Sequence, residues 1–242
     1  MGKRILITGA STGIGAEAAV LLAPGNEIIV HYFSSLESAE KTAKRVEEAG
    51  GKATLVQADL RTPEGCKTLS EAAGAGGAIN VLVNNAGGLV KRVAAGDIDM
   101  DHIQDVFSLN AFSTILMVAG CLPYMDKAED PCIVNITSIV IRHGAAGATM
   151  YAASKSAIDA YTRGLAKELA PRIRVNAIAP GVIDTPFHEK VSSPEMMKTW
   201  AEACPLKKNG TPYDLAHAIK FVVENAFIHG ETLDVNGGMM MR

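Results

Sequence analysis

Ile5-Leu6-Ile7-Thr8-Gly9-Ala10-Ser11-Thr12-Gly13-Ile14-Gly15 decides the fold: a short apolar run, a glycine-rich turn, and then an apolar helix-like segment over Ile14–Ala23. Glycines let a chain turn sharply off a strand and let its backbone approach a bound pyrophosphate. The helix that follows offers unpaired N–H groups and the positive end of its dipole to that anion. The spacing is GxxxGxG rather than GxGxxG, and its place in the first strand–turn–helix marks a dinucleotide site. Gly9, Ser11, Thr12, Gly13, Ile14 and Gly15 are the expected contacts.

The same alternation continues along the chain. Strands are expected over Lys3–Thr8, Glu27–Tyr32, Ala53–Ala58, Val81–Asn84, Cys132–Thr137, Arg174–Ala179 and Thr232–Val235. Helices are expected over Ser35–Ala49, Pro63–Ala73, Asp101–Met125, Met150–Ala170 and Thr211–Val223. Strands with continuous apolar runs, separated by helices, predict an α/β fold: one doubly wound Rossmann domain with a mainly parallel seven-stranded sheet, helices on both faces. Residues 1–242 read as a single dinucleotide-binding and catalytic domain. Segment 184–204, with Pro186, Pro194 and Trp200, interrupts the alternation and reads as a substrate-binding lid.

Composition narrows the class. The 242 residues are 48% hydrophobic and 20% charged but only 5% aromatic, so the core rests on Ala, Val, Ile and Leu. A net charge of −3 with no Lys/Arg-rich block argues against a nucleic-acid partner. Cys66, Cys121, Cys132 and Cys204 form no CxxC pair and no Cys/His spacing, so reduced, mostly buried thiols and no metal are expected. The chain shows no signal-peptide pattern and no uninterrupted apolar stretch long enough for a bilayer, which predicts a soluble, cytoplasmic protein with no membrane partner.

Met150-Tyr151-Ala152-Ala153-Ser154-Lys155 opens a long helical pattern. Residues i and i+4 share a helix face, so Tyr151 and Lys155 are expected to point into one cleft. A neighbouring ammonium favours the phenolate, and a lowered tyrosine pKa suits an acid/base near neutrality.

In these features the chain resembles the short-chain dehydrogenase/reductase family, in its compact single-domain branch. The resemblance runs from Gly2 to Gly238 and is carried by Thr8–Gly15, Asn84-Asn85-Ala86-Gly87, Asn110, Ser138, Tyr151–Lys155 and Pro180-Gly181, in that order. It implies an NAD(P)(H)-dependent oxidoreductase moving a hydride between nicotinamide and a carbonyl or secondary alcohol. Tyr151 would then be the acid/base, and Lys155 would lower its pKa and bond the nicotinamide ribose. Ser138 would bond the reacting oxygen, and Asn110 would support a relay water near the lysine. Asn85, Ala86 and Gly87 would line the cofactor, as would Pro180, Gly181, Ile183 and Thr185.

Tyr32, Ser34 and Ser35 follow the second strand with no carboxylate among Ile29–Ser35, and Asp59-Leu60 follow the third. A carboxylate there would bind ribose hydroxyls and repel a 2′-phosphate, whereas the serines donate to one. NADP(H) is therefore expected ahead of NAD(H), although no arginine stands at this corner of the sequence and Thr12 holds the place of a basic residue. Asp59 and Leu60 are expected against the adenine.

The substrate stays open. Pocket residues are expected from Gly88–Val90, Ile139–Gly144, Gly181–Ile183 and Phe187–Trp200, with Arg142, His143 and His188 as polar anchors. The closest overall pattern is the 3-oxoacyl-[acyl-carrier-protein] reductase type. Acidic Met125–Asp130 speaks against an acidic carrier protein as partner, so a sugar, polyol or small ketone stands beside a 3-oxoacyl thioester. The apolar helices Ile103–Met125 and Ile158–Leu169 suit a homodimer or homotetramer. The rival reading is a non-catalytic dinucleotide-binding regulatory or scaffold protein on the same fold. Such a protein is expected to lack part of the Asn110, Ser138, Tyr151, Lys155 set.

Overall fold

Seven strands pair entirely in parallel in the computed structural model, which describes residues 2–241, the side chains of Glu189 and Lys190 excepted. They are β1 (Arg4–Ile7), β2 (Glu27–Tyr32), β3 (Lys52–Gln57), β4 (Val81–Asn84), β5 (Cys132–Ile136), β6 (Arg174–Pro180) and β7 (Thr232–Val235), in the order β3-β2-β1-β4-β5-β6-β7. The connecting helices are α1 (Gly13–Leu21), α2 (Leu36–Glu48), α3 (Pro63–Ala75), α4 (Met100–Phe107), α5 (Ser113–Met125), α6 (Val140–His143), α7 (Thr149–Leu169), α8 (Pro186–Val191), α9 (Pro194–Ala203) and α10 (Pro212–Glu224). The expected α/β sheet is present, with no antiparallel strand in it.

Strand alternation divides the core between the two faces. Ile5, Ile7, Ile28, Val30, Tyr32, Val81, Val83 and Val134 pack toward α1 and α10. Leu6, Ile29, Leu82, Ile133 and Val175 pack on the opposite side, against residues of α3, α5 and α7. Each fully buried aliphatic side chain contributes about 1.5–3 kcal/mol, so this two-sided burial, not helix propensity, holds the sheet together.

Two elements differ from expectation. The helix foreseen as continuous over Asp101–Met125 widens into a π-turn at Ser108–Phe112, between α4 and α5. By length and composition Met100–Met125 is also apolar enough to cross a membrane, contrary to expectation, but half of its most apolar window is buried inside the fold. Its segments join end to end into one long helical run, with Asp101 and Asp105 confined to the start. The segment foreseen as irregular over 184–204 holds α8 and α9, each with proline in its first turn; α9 is capped by Ser193, which accepts from Met196 N–H.

Candidate active site

The chain order reverses between β1 and β4, and the carboxyl ends of the strands open there into a cavity of about 1010 Å³. Ligands of doubly wound sheets occupy this crevice. Gly9 (φ +62°) and Gly13 (φ +58°) carry the turn through left-handed backbone that side chains disfavour. α1 then starts at Thr12 with no side-chain cap and no acid in its first turn, whereas Thr62, Asp99 and Thr211 cap α3, α4 and α10. Uncapped N–H groups at a cavity wall are a cradle for phosphate, so the residues present fit a dinucleotide.

Gly9, Ser11, Thr12, Gly13 and Ile14 line the cavity as expected, but Gly15 does not. A Cβ on Gly15 would stand 2.5 Å from the Gly9 carbonyl oxygen, so Gly15 is there to let helix and turn pack. Thr8 and Asn85 stitch the turn to β4. The Thr8 hydroxyl accepts from the N–H groups of Asn85 and Ala86 at 2.9 Å, and Asn85 Nδ2 donates to the carbonyls of Thr8 and Gly9 at 2.9 and 3.0 Å. Asn85, Ala86 and Gly87 all reach the cavity wall, as do Pro180, Gly181, Ile183 and Thr185 opposite.

At the far corner the expectation needs two corrections. Tyr32 packs into the core beside Val30; alternation along β2 instead turns His31 and Phe33 toward the cavity. Asp59 and Leu60 line the corner with Ser34 and Ser35, but the Asp59 carboxylate is held by an arginine, Arg61, which donates from Nε at 2.9 and 3.1 Å and from Nη2 at 2.6 Å. That pairing holds Asp59 below the usual carboxylate range. Arg61 also lies over the Phe33 ring, 4.9 Å from its centroid, and lines the cavity. The corner does contain an arginine; it arrives from β3's loop, not from β2.

The reacting end gathers Ser138, just after β5, with Tyr151 and Lys155, one turn apart on α7. Ser138 and Tyr151 line the same stretch of cavity wall. Lys155 is buried, its Nζ 5.9 Å from the Tyr151 ring centroid, and it donates to the Ile136 carbonyl at 2.8 Å. Burial pushes the Lys155 ammonium down to about 8 and the Tyr151 phenol up to about 12, with the neighbouring Ser138 hydroxyl pulling the phenol the other way. The expected lowering of the tyrosine is therefore not the balance found: desolvation outweighs it.

Asn110 does not border the cavity. It sits fully buried in the π-turn, behind Gly87, where a Cβ would stand 2.7 Å from Asn110 Oδ1 and 2.9 Å from Lys155 Nζ. Its amide is spent on backbone: Oδ1 accepts from Gly88 N–H at 3.0 Å, and Nδ2 donates to the Gly88 and Val106 carbonyls at 2.8 Å each.

The outer wall is largely apolar, as expected, with Leu89, Val90, Val140, Phe187, Met196 and Trp200 among its side chains. His143 and His188 line it. Arg142 does not; its Nε donates to Asp234 of β7 at 3.2 Å. No motif points to Arg92, which lines the wall and donates to the Val191 carbonyl at 3.4 Å. All four cysteines are free and buried.

Residues 3–196 match the short chain dehydrogenase family. A 3-oxoacyl-[acyl-carrier-protein] reductase FabG from Thermotoga maritima is 35% identical over 248 residues, covering 99% of this chain and 98% of that protein. An NADH-dependent reductase, A1-R′, responsible for alginate metabolism superposes with a TM-score of 0.91 at 31% identity, covering 100% of this chain and 98% of that one. A short chain dehydrogenase from Burkholderia cenocepacia J2315 in complex with NADP gives 0.90 at 31% identity, covering 99% and 98%. Fold, switch-point cavity and relatives agree: the chain belongs to the short-chain dehydrogenase/reductase family and is an NAD(P)-dependent oxidoreductase.

Proposed function

We propose that the protein reduces a ketone with NADPH, Tyr151 giving its proton to the carbonyl oxygen. The observation that carries this reading is the gathering of Ser138, Tyr151 and Lys155 at one cavity wall, with Lys155 buried beside the Tyr151 ring. A phenol pushed up to about 12 is protonated at neutral pH, and so is poised to donate. Ser138 stabilises charge developing on the same oxygen. Lys155, still mostly ammonium at neutral pH, favours the phenolate left behind and offers N–H donors to the nicotinamide ribose. Asn110 fixes the Gly87-Gly88 loop behind that lysine. The bound nicotinamide supplies the hydride, and Gly9, Ser11–Ile14, Ala86, Gly87, Pro180, Gly181, Ile183 and Thr185 would hold its dinucleotide.

NADP(H) is favoured over NAD(H) by Arg61, Ser34 and Ser35, a cation and two hydroxyls around one corner of the cavity. The relatives include both an NADH-dependent reductase and a chain with bound NADP. The segment 184–204 acts as the lid, because Phe187 and Trp200 bring apolar rings onto the outer wall. That wall suits the body of a 3-oxoacyl thioester or a bulky ketone better than a sugar. Phe112, Ile115 and Leu116 expose an apolar strip on the helical run beside α7, and this strip is the surface for a homodimer or homotetramer.

The test is a panel of 3-oxoacyl thioesters, cyclic ketones and keto sugars with NADPH and NADH, followed by nicotinamide absorbance. Oxidation of NADPH by an apolar ketone, abolished in Tyr151→Phe, is the expected result. Tight cofactor binding with no turnover of any carbonyl or alcohol would support the non-catalytic alternative.

A further inference from the structure

His31 lies beneath the glycine-rich turn with both ring nitrogens engaged. Nδ1 stands 2.9 Å from the Gly9 nitrogen, and Nε2 stands 3.1 Å from the Ala58 carbonyl oxygen. A backbone N–H only donates and a carbonyl only accepts, so the ring here is the neutral tautomer with its proton on Nε2. The main chain of the same residue accepts the Ala10 N–H at 2.8 Å. One residue of β2 therefore holds two successive residues of the turn and ties them to the end of β3.

We propose that neutral His31 is a positioning residue for the dinucleotide-binding turn, and that its protonation releases Gly9 and weakens cofactor binding on the acid side of neutrality. The proposal rests on the reading of this turn as the cofactor site. An imidazolium has two donors and no acceptor, so its Nδ1–H would face the Gly9 N–H across the same 2.9 Å. The side chain is 3% exposed, which leaves water little access to repair the mismatch. Gly9 is held in a left-handed conformation, and losing its N–H partner loosens the loop that cradles the phosphates.

The groups facing the ring are few. Asp59 favours the cation, but its charge is matched by Arg61, and the first turn of α1 carries no acid. Burial outweighs Asp59 and the Ala58 bond, placing the proton uptake below 6.5. A bound dinucleotide's phosphates would pull the opposite way, attracting a buried cation, so the sign of the acid limb decides which effect governs.

Calorimetric titration with NAD⁺ and NADP⁺ between about pH 5 and about pH 8 reads that sign. His31→Asn keeps an acceptor for Gly9 on a side chain that takes up no proton, and the 2′-phosphate's own titration cancels in the comparison. Wild type and variant are expected to bind alike at the upper pH, with wild type weaker by about tenfold at the lower. His31→Leu, with no acceptor, is expected to bind weakly at every pH. Parallel curves for wild type and His31→Asn, or tighter wild-type binding in acid, overturn the proposal while leaving the turn as the cofactor site. No binding by wild type even at the upper pH removes the cofactor reading itself. Nitrogen NMR of the wild-type ring, needing no variant, gives a second check: a proton resident on Nδ1 overturns the assignment.

Discussion

Lys155 Nζ stands 5.9 Å from the centre of the Tyr151 ring, yet spends a hydrogen bond on the Ile136 carbonyl at 2.8 Å. The lysine is thus pinned to the end of β5, on the same wall of the cavity as Ser138. Tyr151→Phe removes the proton donor but leaves this anchor and the glycine turn intact. A loss of about 10³-fold or more in kcat, with cofactor Kd within about threefold of wild type, is expected. Steady-state kinetics and cofactor titration check it. In wild type the lysine loses its proton as pH rises through about 8, so ketone reduction is expected to decline above that point.

Lys155 also burdens the fold. Its pKa falls from 10.5 in the unfolded chain to about 8 in the folded one, so between those values the unfolded state binds more protons and stability rises with pH. At pH 7 the full cost is present, on the order of 3 kcal/mol. Lys155→Met removes that cost but leaves the Ile136 carbonyl without its donor, which returns about 1–2 kcal/mol. The variant is expected to be inactive yet more stable than wild type at pH 7, with most of that advantage gone near pH 9. Thermal unfolding at the two pH values measures this, and a variant that melts lower at pH 7 contradicts it.

Asn110 serves the site from behind. From the π-turn its buried amide engages both backbone groups of Gly88, in the loop after β4, and the Val106 carbonyl of α4. Asn110→Ala removes three side-chain hydrogen bonds to backbone groups, a loss of about 2–4 kcal/mol. For a chain of this size that corresponds to a fall of roughly 5–15 °C in Tm. Calorimetry reads it directly; an unchanged Tm combined with lost activity would instead assign Asn110 to proton transfer alone.

What the sequence made legible follows from range. β2, β4 and β7 lie where patterning places them, because apolar runs and the turns around them are local. Tyr151 and Lys155 are visible through one helical turn, and Ser138 through its place after a strand. Alternation from Ile28 and Val30, both core residues, is the signal that places Tyr32 on the α1/α10 face of the sheet and His31 on the other face, at the cavity. The π-turn at Asn110 has no local signature, since a polar residue amid apolar neighbours fits a regular helix equally well. Arg142 meets Asp234 from 92 residues away, and Arg61 reaches Phe33 across 28 positions. Pairings of that range depend on sheet order, which no window of sequence displays.

Arg61 is where that long-range contact bears on cofactor choice. Its partner Asp59 occupies the guanidinium from two residues away, but the two side chains are 50% and 29% exposed. An ion pair so open to solvent contributes about 1 kcal/mol or less, so a 2′-phosphate competes for the arginine at little cost. Phe33 holds the guanidinium plane in position meanwhile. Two substitutions should then move NADPH affinity in opposite directions. Arg61→Leu removes the cation and leaves Asp59 facing the phosphate, so NADPH is expected to bind about 10–100-fold more weakly while NADH changes little. Asp59→Asn releases the arginine from its competitor and should tighten NADPH several-fold. Fluorescence titration of both cofactors on both variants measures the ratio. Equal loss of NADH and NADPH in Arg61→Leu would show that Arg61 shapes the adenine corner without reading the phosphate.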